Sequence, residues 1–337
     1  MRPEELIAAL DEALPALLTD KVSGAAVTSL ERLSGGANNE TWRLVWGETP
    51  LILRRRPFSA DSVADLEGNI LGLSLVDEAQ VIRLASSTDV PVPEIHAVFD
   101  ERHPVGEAFL MGFIDGESIP QRWLADAQFE GARNKLAYQC GEALARIHTI
   151  DCANLPASIG PTTLQRRFDA AQHRLHAFGD VSPALQFGLN WLIEHAPEDT
   201  PHVLLHGDFR TGNLLIDKHG LAGVLDWELT HQGPPAEDLG YLCAYVWRFG
   251  QLDKPVGGFG HYADLIKGYE SVAGWCPDLA SIRYWEVFAA LSWGLVCQTM
   301  GALWHSGEGD VERAAVARRR SEAELDMLLL IDDWERP

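Results

Sequence analysis

Val203-Leu204-Leu205-His206-Gly207-Asp208-Phe209-Arg210-Thr211-Gly212-Asn213-Leu214-Leu215-Ile216-Asp217 is the stretch on which the reading of this chain turns. One apolar run leads in and another leads out, so the loop between them is pinned at both ends by short strands. It presents Asp208 and Asn213 five residues apart. Gly223-Val224-Leu225-Asp226-Trp227-Glu228 follows, a further short strand ending in a carboxylate. An aspartate, an amide and a second carboxylate at neighbouring strand ends suit magnesium, a hard cation that needs few protein oxygens when substrate phosphates supply the rest. They also suit transfer of a phosphoryl group to a hydroxyl, which asks for charge neutralisation and in-line placement more than covalent help. Asp208, on a loop expected to be exposed, reads as the base. His206, ending an apolar strand, reads as a packed, hydrogen-bonded histidine rather than a proton carrier. Glu228 either supports the metal site or caps the next segment.

Outward from this centre the texture is helical on both sides. Helical spacing is expected over 128–149, 163–178 and 183–195, then over 237–249, 261–272, 281–302 and 311–330. Three short strands, 202–206, 213–217 and 221–226, form an island among these helices, and 231–238 reads as a short Pro-rich connector. The front of the chain differs. Residues 4–18 carry Leu6, Leu10 and Leu14 at helical spacing, with Pro15 expected to kink or end the helix. Runs 27–33 and 41–46 flank Ser34-Gly35-Gly36-Ala37-Asn38-Asn39-Glu40, and Pro50-Leu51-Ile52-Leu53-Arg54-Arg55-Arg56-Pro57 follows. This is an antiparallel meander with a small-residue turn. Residues 58–75 are expected to be a mobile loop with some helix, 76–86 a helix, and 94–99 and 107–113 two more strands. Two regions are therefore expected. Residues 1–113 would be an N-terminal lobe with a leading helix and a five-stranded antiparallel sheet. Residues 114–337 would be a larger, mainly helical lobe carrying the 206–213 loop.

Among 337 residues there are 27 basic and 49 acidic side chains, a net charge of −22. That mean field repels duplex nucleic acid and anionic membranes, so neither is an expected partner. No stretch approaches the roughly 18 uninterrupted apolar residues of a membrane span. The five cysteines are odd in number and form no C-x-x-C pair, which points to a cytoplasmic chain without a disulfide framework or structural zinc. Oligomeric state has no readable signal.

The loop His206-Gly207-Asp208 with Asn213, followed by Asp226, resembles the aminoglycoside phosphotransferase and choline kinase branch of the protein-kinase-like fold, whose catalytic loop is H-G-D-x-x-x-x-N. The chain is similar in particular to the kinase-like domains fused to some acyl-CoA dehydrogenases. Ser34 to Asn39, Leu53-Arg54-Arg55-Arg56-Pro57, and Leu225-Asp226-Trp227-Glu228 with Gly233-Pro234-Pro235-Ala236-Glu237-Asp238-Leu239 carry that likeness. The resemblance implies a two-lobed α+β fold with ATP and magnesium between the lobes, and a small hydroxylated molecule as acceptor. Asp208 would be the catalytic base, and Asn213 and Asp226 would hold the metal. Gly35, Gly36 and Asn38 would belong to a loop covering the phosphates, although two glycines between strands also suit a plain turn. Arg54 would stand where the wider fold has a lysine, with Arg56 on the same strand face as the alternative. Glu78 would be its acidic partner, with Asp77 and Glu67 also in range. Met111 and Phe113 would lie on the strand hinging the lobes.

Several residues keep two readings. Asp238, near a helix start, is a cap by default or a brace for the catalytic loop. His148 is more readily structural than catalytic. Trp285, Trp293 and Trp304 are either core or the lining of a substrate pocket. Arginine in place of lysine also leaves open a catalytically inactive nucleotide-binding protein, or pseudokinase, against which stand the intact Asp208, Asn213 and Asp226.

Overall fold

A computed structural model of the chain describes residues 2–18, 25–33, 39–56, 72–198, 201–307 and 311–336. Gly35, Gly36, Asn38 and Glu67, and most of the loop expected at 58–75, lie outside these.

Helix α1 (Pro3–Leu17) buries Leu6, Leu10 and Leu14, one stripe at four-residue spacing. Pro15 sits in the last turn, and the helix ends two residues later. Strands β1 (Val27–Arg32), β2 (Glu40–Trp46), β3 (Thr49–Arg55), β4 (Ile95–Phe99) and β5 (Ala108–Gly112) form one antiparallel sheet in the order β1-β2-β3-β5-β4. Strand alternation decides what each face of β3 carries. Leu51 and Leu53 join Leu44, Trp42 and Leu110 in a core under α1. Arg54 points the other way, toward helix α2 (Leu75–Ser86), which Ser74 caps by accepting from the Asp77 amide at 3.0 Å.

Beyond the sheet the chain is mostly helical: α3 (Pro120–Ala125), α4 (Glu130–His148), α5 (Leu164–His176) and α6 (Pro183–Glu194). The β island follows as β6 (Val203–Leu205), β7 (Leu214–Asp217), β8 (Gly220–Val224) and β9 (His231–Gly233). Helices α7 (Ala236–Cys243), α8 (Tyr262–Ala273), α9 (Leu279–Ser306), α10 (Val311–Ala317) and α11 (Arg320–Glu335) complete it. The segment read as a plain connector thus contributes β9, which pairs with β6. The helix expected to reach residue 249 stops at Cys243, because Ala244 turns extended and the buried Arg248 guanidinium takes over the Cys243 carbonyl at 2.9 and 3.0 Å. The helix expected over 311–330 is two helices, α10 and α11. Helix α9 is long and apolar enough to cross a membrane by length and composition. Here it supplies Tyr284, Trp285, Phe288 and Leu291 to a core shared with α6 and α11.

The sheet and the helices are bolted together. Helix α2 and Phe109 belong to the same core as α4 and α8, so the packing does not divide at residue 113. The Val224 amide donates to Pro91, the Leu73 amide donates to Glu228, and Glu117 and Ile216 exchange two backbone bonds. Helices α4 and α8 meet at glycines. A Cβ on Gly141 would stand 2.1 Å from the Leu265 carbonyl oxygen, and one on Gly268 would stand 2.0 Å from that of Tyr138. Backbone cannot yield as a side-chain end can. Gly141→Ala is therefore expected to destabilise the fold by about 1–3 kcal/mol, the usual range for overpacking. Urea unfolding measures this, and a parent-like midpoint would contradict the close contact.

Candidate active site

The loop after β6 is held by one carboxylate. Asp238, fully buried on α7, accepts from the backbone amides of His206 at 2.8 Å and Gly207 at 3.0 Å, and contacts His148 Nε2 at 3.2 Å. Helix α7 has no side-chain cap at its start, so Asp238 braces the loop instead of capping the helix. Burial works to raise its carboxyl; the His148 contact and the His206 and Gly207 bonds outweigh that and hold it below the ordinary range. His148 is tied on its other side to the Tyr269 hydroxyl at 2.9 Å, which carries the brace back to α8. Gly207 has φ +80°, and a Cβ there would lie 2.1 Å from the Leu229 carbonyl oxygen, so only glycine fits. His206 is buried. Its Nδ1 accepts from the Asp208 amide at 3.2 Å, leaving Nε2–H to donate to the Leu225 carbonyl at 3.1 Å. Burial also holds the imidazole below its ordinary value, so it is neutral and spent on structure.

Asp208 is buried, at 8% exposure, not exposed as its loop position suggests. Four donor contacts converge on its carboxylate. Arg210 Nε reaches both oxygens at 3.1 and 3.0 Å, the Tyr241 hydroxyl donates to Oδ1 at 2.8 Å, and Asn213 Nδ2 donates to Oδ2 at 2.6 Å. Burial nonetheless raises its carboxyl above the ordinary value, with Arg210 opposing and the charge of Asp226 adding to the rise. Arg210 and Tyr241 were not singled out in the sequence. Tyr241 was findable, because it lies three residues after Asp238 and shares its helix face.

Asp226 stands just past β8 with φ +67°, a left-handed conformation uncommon outside glycine and of the kind that clusters at functional sites. It is brought to the loop by the Leu225 amide, which donates to the Asn213 carbonyl at 2.9 Å. Arg54 spans from the sheet to this turn. Its Nη2 lies 2.8 Å from Asp226 Oδ1 and 2.6 Å from Glu228 Oε2, while its Nε faces Glu78 Oε2 at 3.3 Å. The Glu78 contact is charge pairing without an aligned hydrogen bond. Burial pushes the Glu78 carboxyl up to about 8, against the pull of Arg54. Glu228 faces the cleft beside Asp226 and accepts from Asn39 Nδ2 at 3.3 Å, so it serves the site and not a cap. Arg56, the alternative cation, pairs instead with Glu107 at 3.0 Å. Asp77, the alternative acid, caps away toward Ser158.

The oxygens here fit magnesium brought in with a nucleotide. Asn213 commits its Nδ2 to Asp208, which turns its Oδ1 into the free hard donor, and Asp226 and Glu228 supply carboxylates already arranged about a cation, the Arg54 guanidinium. Among the described residues no cluster of three or more acid, histidine or cysteine ligands forms a self-sufficient cage. Met111 and Phe113 sit at and just past the end of β5, both half-buried, and Phe113 carries the Arg43 guanidinium 4.8 Å above its ring.

A cavity of about 310 Å³ opens beside the loop, between α5, α7 and α9. Gly207 and Tyr241 line its loop side, and Trp285, Phe288 and Trp293 its apolar walls. Trp285 and Trp293 therefore serve the pocket reading, whereas Trp304 lies exposed near the end of α9. Arg167 holds Glu237 through both guanidinium nitrogens, and His231 adds a contact at 3.2 Å. Burial would raise the Glu237 carboxyl, but Arg167 and His231 keep it at about 2. Asp238→Ala would leave two buried amides and His148 without their acceptor. Each orphaned donor costs about 1–3 kcal/mol, so a loss of several kcal/mol in denaturant unfolding is the expected outcome. A cost below about 1 kcal/mol would remove Asp238 from its bracing role.

The sequence profile of the phosphotransferase enzyme family matches residues 29–275. Acyl-CoA dehydrogenase family member 11 of Gallus gallus is 29% identical over 240 residues, which cover 66% of this chain and 29% of that protein. The chain thus spans under a third of that relative's length. Among solved structures, an aminoglycoside phosphotransferase-type protein of Ralstonia eutropha superposes with a TM-score of 0.71 at 24% identity, covering 95% of this chain and 98% of the other. Aminoglycoside phosphotransferase APH(4)-Ia, in ternary complex with ADP and hygromycin B, gives 0.65 at 17% identity, covering 98% and 100%. The fold is the two-lobed, kinase-like one, with a small antiparallel sheet and a larger helical part. With its profile match spanning most of the sequence, the chain belongs to the phosphotransferase enzyme family.

Proposed function

We propose that this phosphotransferase moves the γ-phosphoryl group of ATP, with magnesium, to a hydroxyl of a small molecule bound in the cavity. One observation carries the reading: Asp208 lies where the Arg54–Asp226–Glu228 cluster and the cavity meet, influenced by Asp226 on one side and bonded to Tyr241 on the other. The solved relative with ADP and hygromycin B supports a nucleotide beside a small acceptor in this fold. Magnesium, once bound, supplies positive charge to the phosphoryl oxygens. Asn213 Oδ1 and Asp226 are the oxygens that hold it. Arg54 binds phosphate oxygens with its planar fork, and Glu78 keeps that fork aimed. The acceptor hydroxyl takes the place of the Tyr241 hydroxyl on Asp208 Oδ1, and Asp208 receives its proton as the new oxygen–phosphorus bond forms and the bond from the γ-phosphorus to the bridging oxygen of the departing ADP breaks. The inactive nucleotide-binding reading rested on arginine in place of lysine; Arg54 makes the acid pairing that a lysine would make, which favours turnover.

Magnesium and ATP together, at 100 times the dissociation constant, should stabilise the fold by about 2.7 kcal/mol. A melting temperature unmoved by millimolar magnesium-ATP, with calorimetry also silent, would defeat the reading. Asp208→Asn keeps the shape and loses the base. It should cut phosphate transfer to an accepted hydroxyl by about 10²–10⁴-fold while magnesium-ATP still binds.

The two arginines of β3 separate in a binding assay. Arg54→Ala should weaken magnesium-ATP binding by about tenfold or more, the worth of a charge-assisted hydrogen bond. Arg56→Ala, which removes the partner of Glu107, should leave nucleotide affinity near that of the parent. The reverse pattern in calorimetry would move the phosphate ligand two residues along the strand.

A further inference from the structure

The cavity holds two arginines from one helix, and they are in opposite states. Arg167 is neutralised by Glu237, held further by His231, and packed on Trp285 and Phe288 with its guanidinium carbon 5.0 and 4.5 Å from the ring centres. Arg174 lines the same cavity seven residues, or about 10 Å, further along α5. Its Nε donates to the Thr299 hydroxyl at 3.0 Å, and Thr299 is itself anchored on the Leu295 carbonyl at 2.9 Å. That fixes the plane of the guanidinium. Among the described residues no carboxylate pairs with Arg174, and no aromatic ring stacks on it. Its charge state is perturbed by burial alone, downward, with no neighbouring charge contributing. Arginine stays protonated in proteins, so a cation stands oriented and uncompensated in a pocket otherwise walled by Trp285, Phe288, Trp293, Leu229 and Val296. Among the described residues lining the cavity, the one carboxylate, Glu237, is already committed to Arg167 and His231.

We propose that Arg174 is an anion-reading residue of the acceptor cavity. The acceptor is then an apolar or aromatic alcohol with a single anionic group at the end remote from its reacting hydroxyl, not a polyamine sugar. This rests on the phosphotransferase reading, since it takes Asp208 as the point where the hydroxyl sits. A polycation finds no free carboxylate in this cavity and meets Arg174 as a like charge. A carboxylate or phosphate finds a planar fork whose terminal nitrogens are unspent, and an apolar body fills the walls without stranding polar groups.

Three probes share a chain and a terminal hydroxyl and differ in charge at the far end: 8-hydroxyoctanoate, its primary amide, and 8-amino-octan-1-ol. Calorimetry on the full chain, saturated with magnesium and a non-hydrolysable ATP analogue, should rank the acid about tenfold or more above the amide, with the amine weakest. Arg174→Gln should abolish the gap between acid and amide. Arg174→Lys, which keeps the charge without the fork, should retain part of it. Equal affinity of acid and amide for the parent, undetectable binding of the acid at millimolar concentration, a preference for the amine, or an undiminished gap in Arg174→Gln would each overturn the proposal. The parent's ranking alone decides the matter if a variant fails to fold. Phosphate transfer to the same probes keeps the wider reading separate. An acid preference in binding with no transfer to any hydroxyl supports the anion site and counts against the phosphotransferase reading. Transfer to amide and amine as readily as to the acid overturns the anion site and leaves the phosphotransferase reading intact.

Discussion

The Asp238 carboxylate is the constraint on which the rest of the site depends. Its two oxygens fix the backbone of His206 and Gly207 from below, and its contact with His148 ties that point to α4 and, through Tyr269, to α8. The charge is fully buried, so it survives only because His206, Gly207 and His148 give it partners inside the protein. This explains why α4 and α8 must approach at Gly141 and Gly268. Separating those helices would pull Tyr269 from His148 and loosen the residue that orients Asp238. The rigidity of the Asp208 loop is therefore set by helix packing some distance from any substrate.

The same economy explains why Asp208 is buried yet reachable. Two of its partners are close in sequence, Arg210 two residues on and Asn213 five residues on, and the third, Tyr241, comes from the helix that carries Asp238. Arg210 is itself held, its guanidinium carbon 4.9 Å above the Trp247 ring. Of these partners only Tyr241 also lines the cavity. An incoming hydroxyl can replace that one bond without disturbing the others. The proposed base is thus preorganised by two partners, with a third at the cavity wall.

Much of this was legible in the sequence where the physics is local. The strand–loop–strand pattern around His206 to Asn213, the β1–β3 meander and the stripe of α1 follow from periodicity and turn residues. The pairing of Arg54 with Glu78 was legible only as an alternative among several acids, because which of them meets it depends on how α2 crosses the sheet. Asp238 read first as a cap, since a helix-start aspartate usually is one, and its true partners lie about thirty residues upstream. The cavity was not legible at all. Arg167 and Arg174 are two of several basic residues on a polar-looking helix, and nothing in spacing says that Glu237 will neutralise one and leave the other. Gly35, Gly36 and Asn38 lie outside the described residues.

Taken together, the charges divide the site into two unlike halves. On the sheet side one arginine, Arg54, stands among Asp226, Glu228 and Glu78. Burial pushes the Glu78 carboxyl up against the pull of Arg54, and Asp226 and Glu228 alone already leave an excess of negative charge around that single cation. A nucleotide alone would be repelled there; a nucleotide arriving with a divalent cation would be welcomed. On the cavity side the balance is inverted: Glu237 is spent, and Arg174 is the surplus charge. Asp208 sits at the boundary, neutralised by Arg210 and bonded to Tyr241. That electrostatic gradient across one carboxylate is what the proposed reading needs, with metal-bound phosphate on one side and an anion-tailed alcohol on the other.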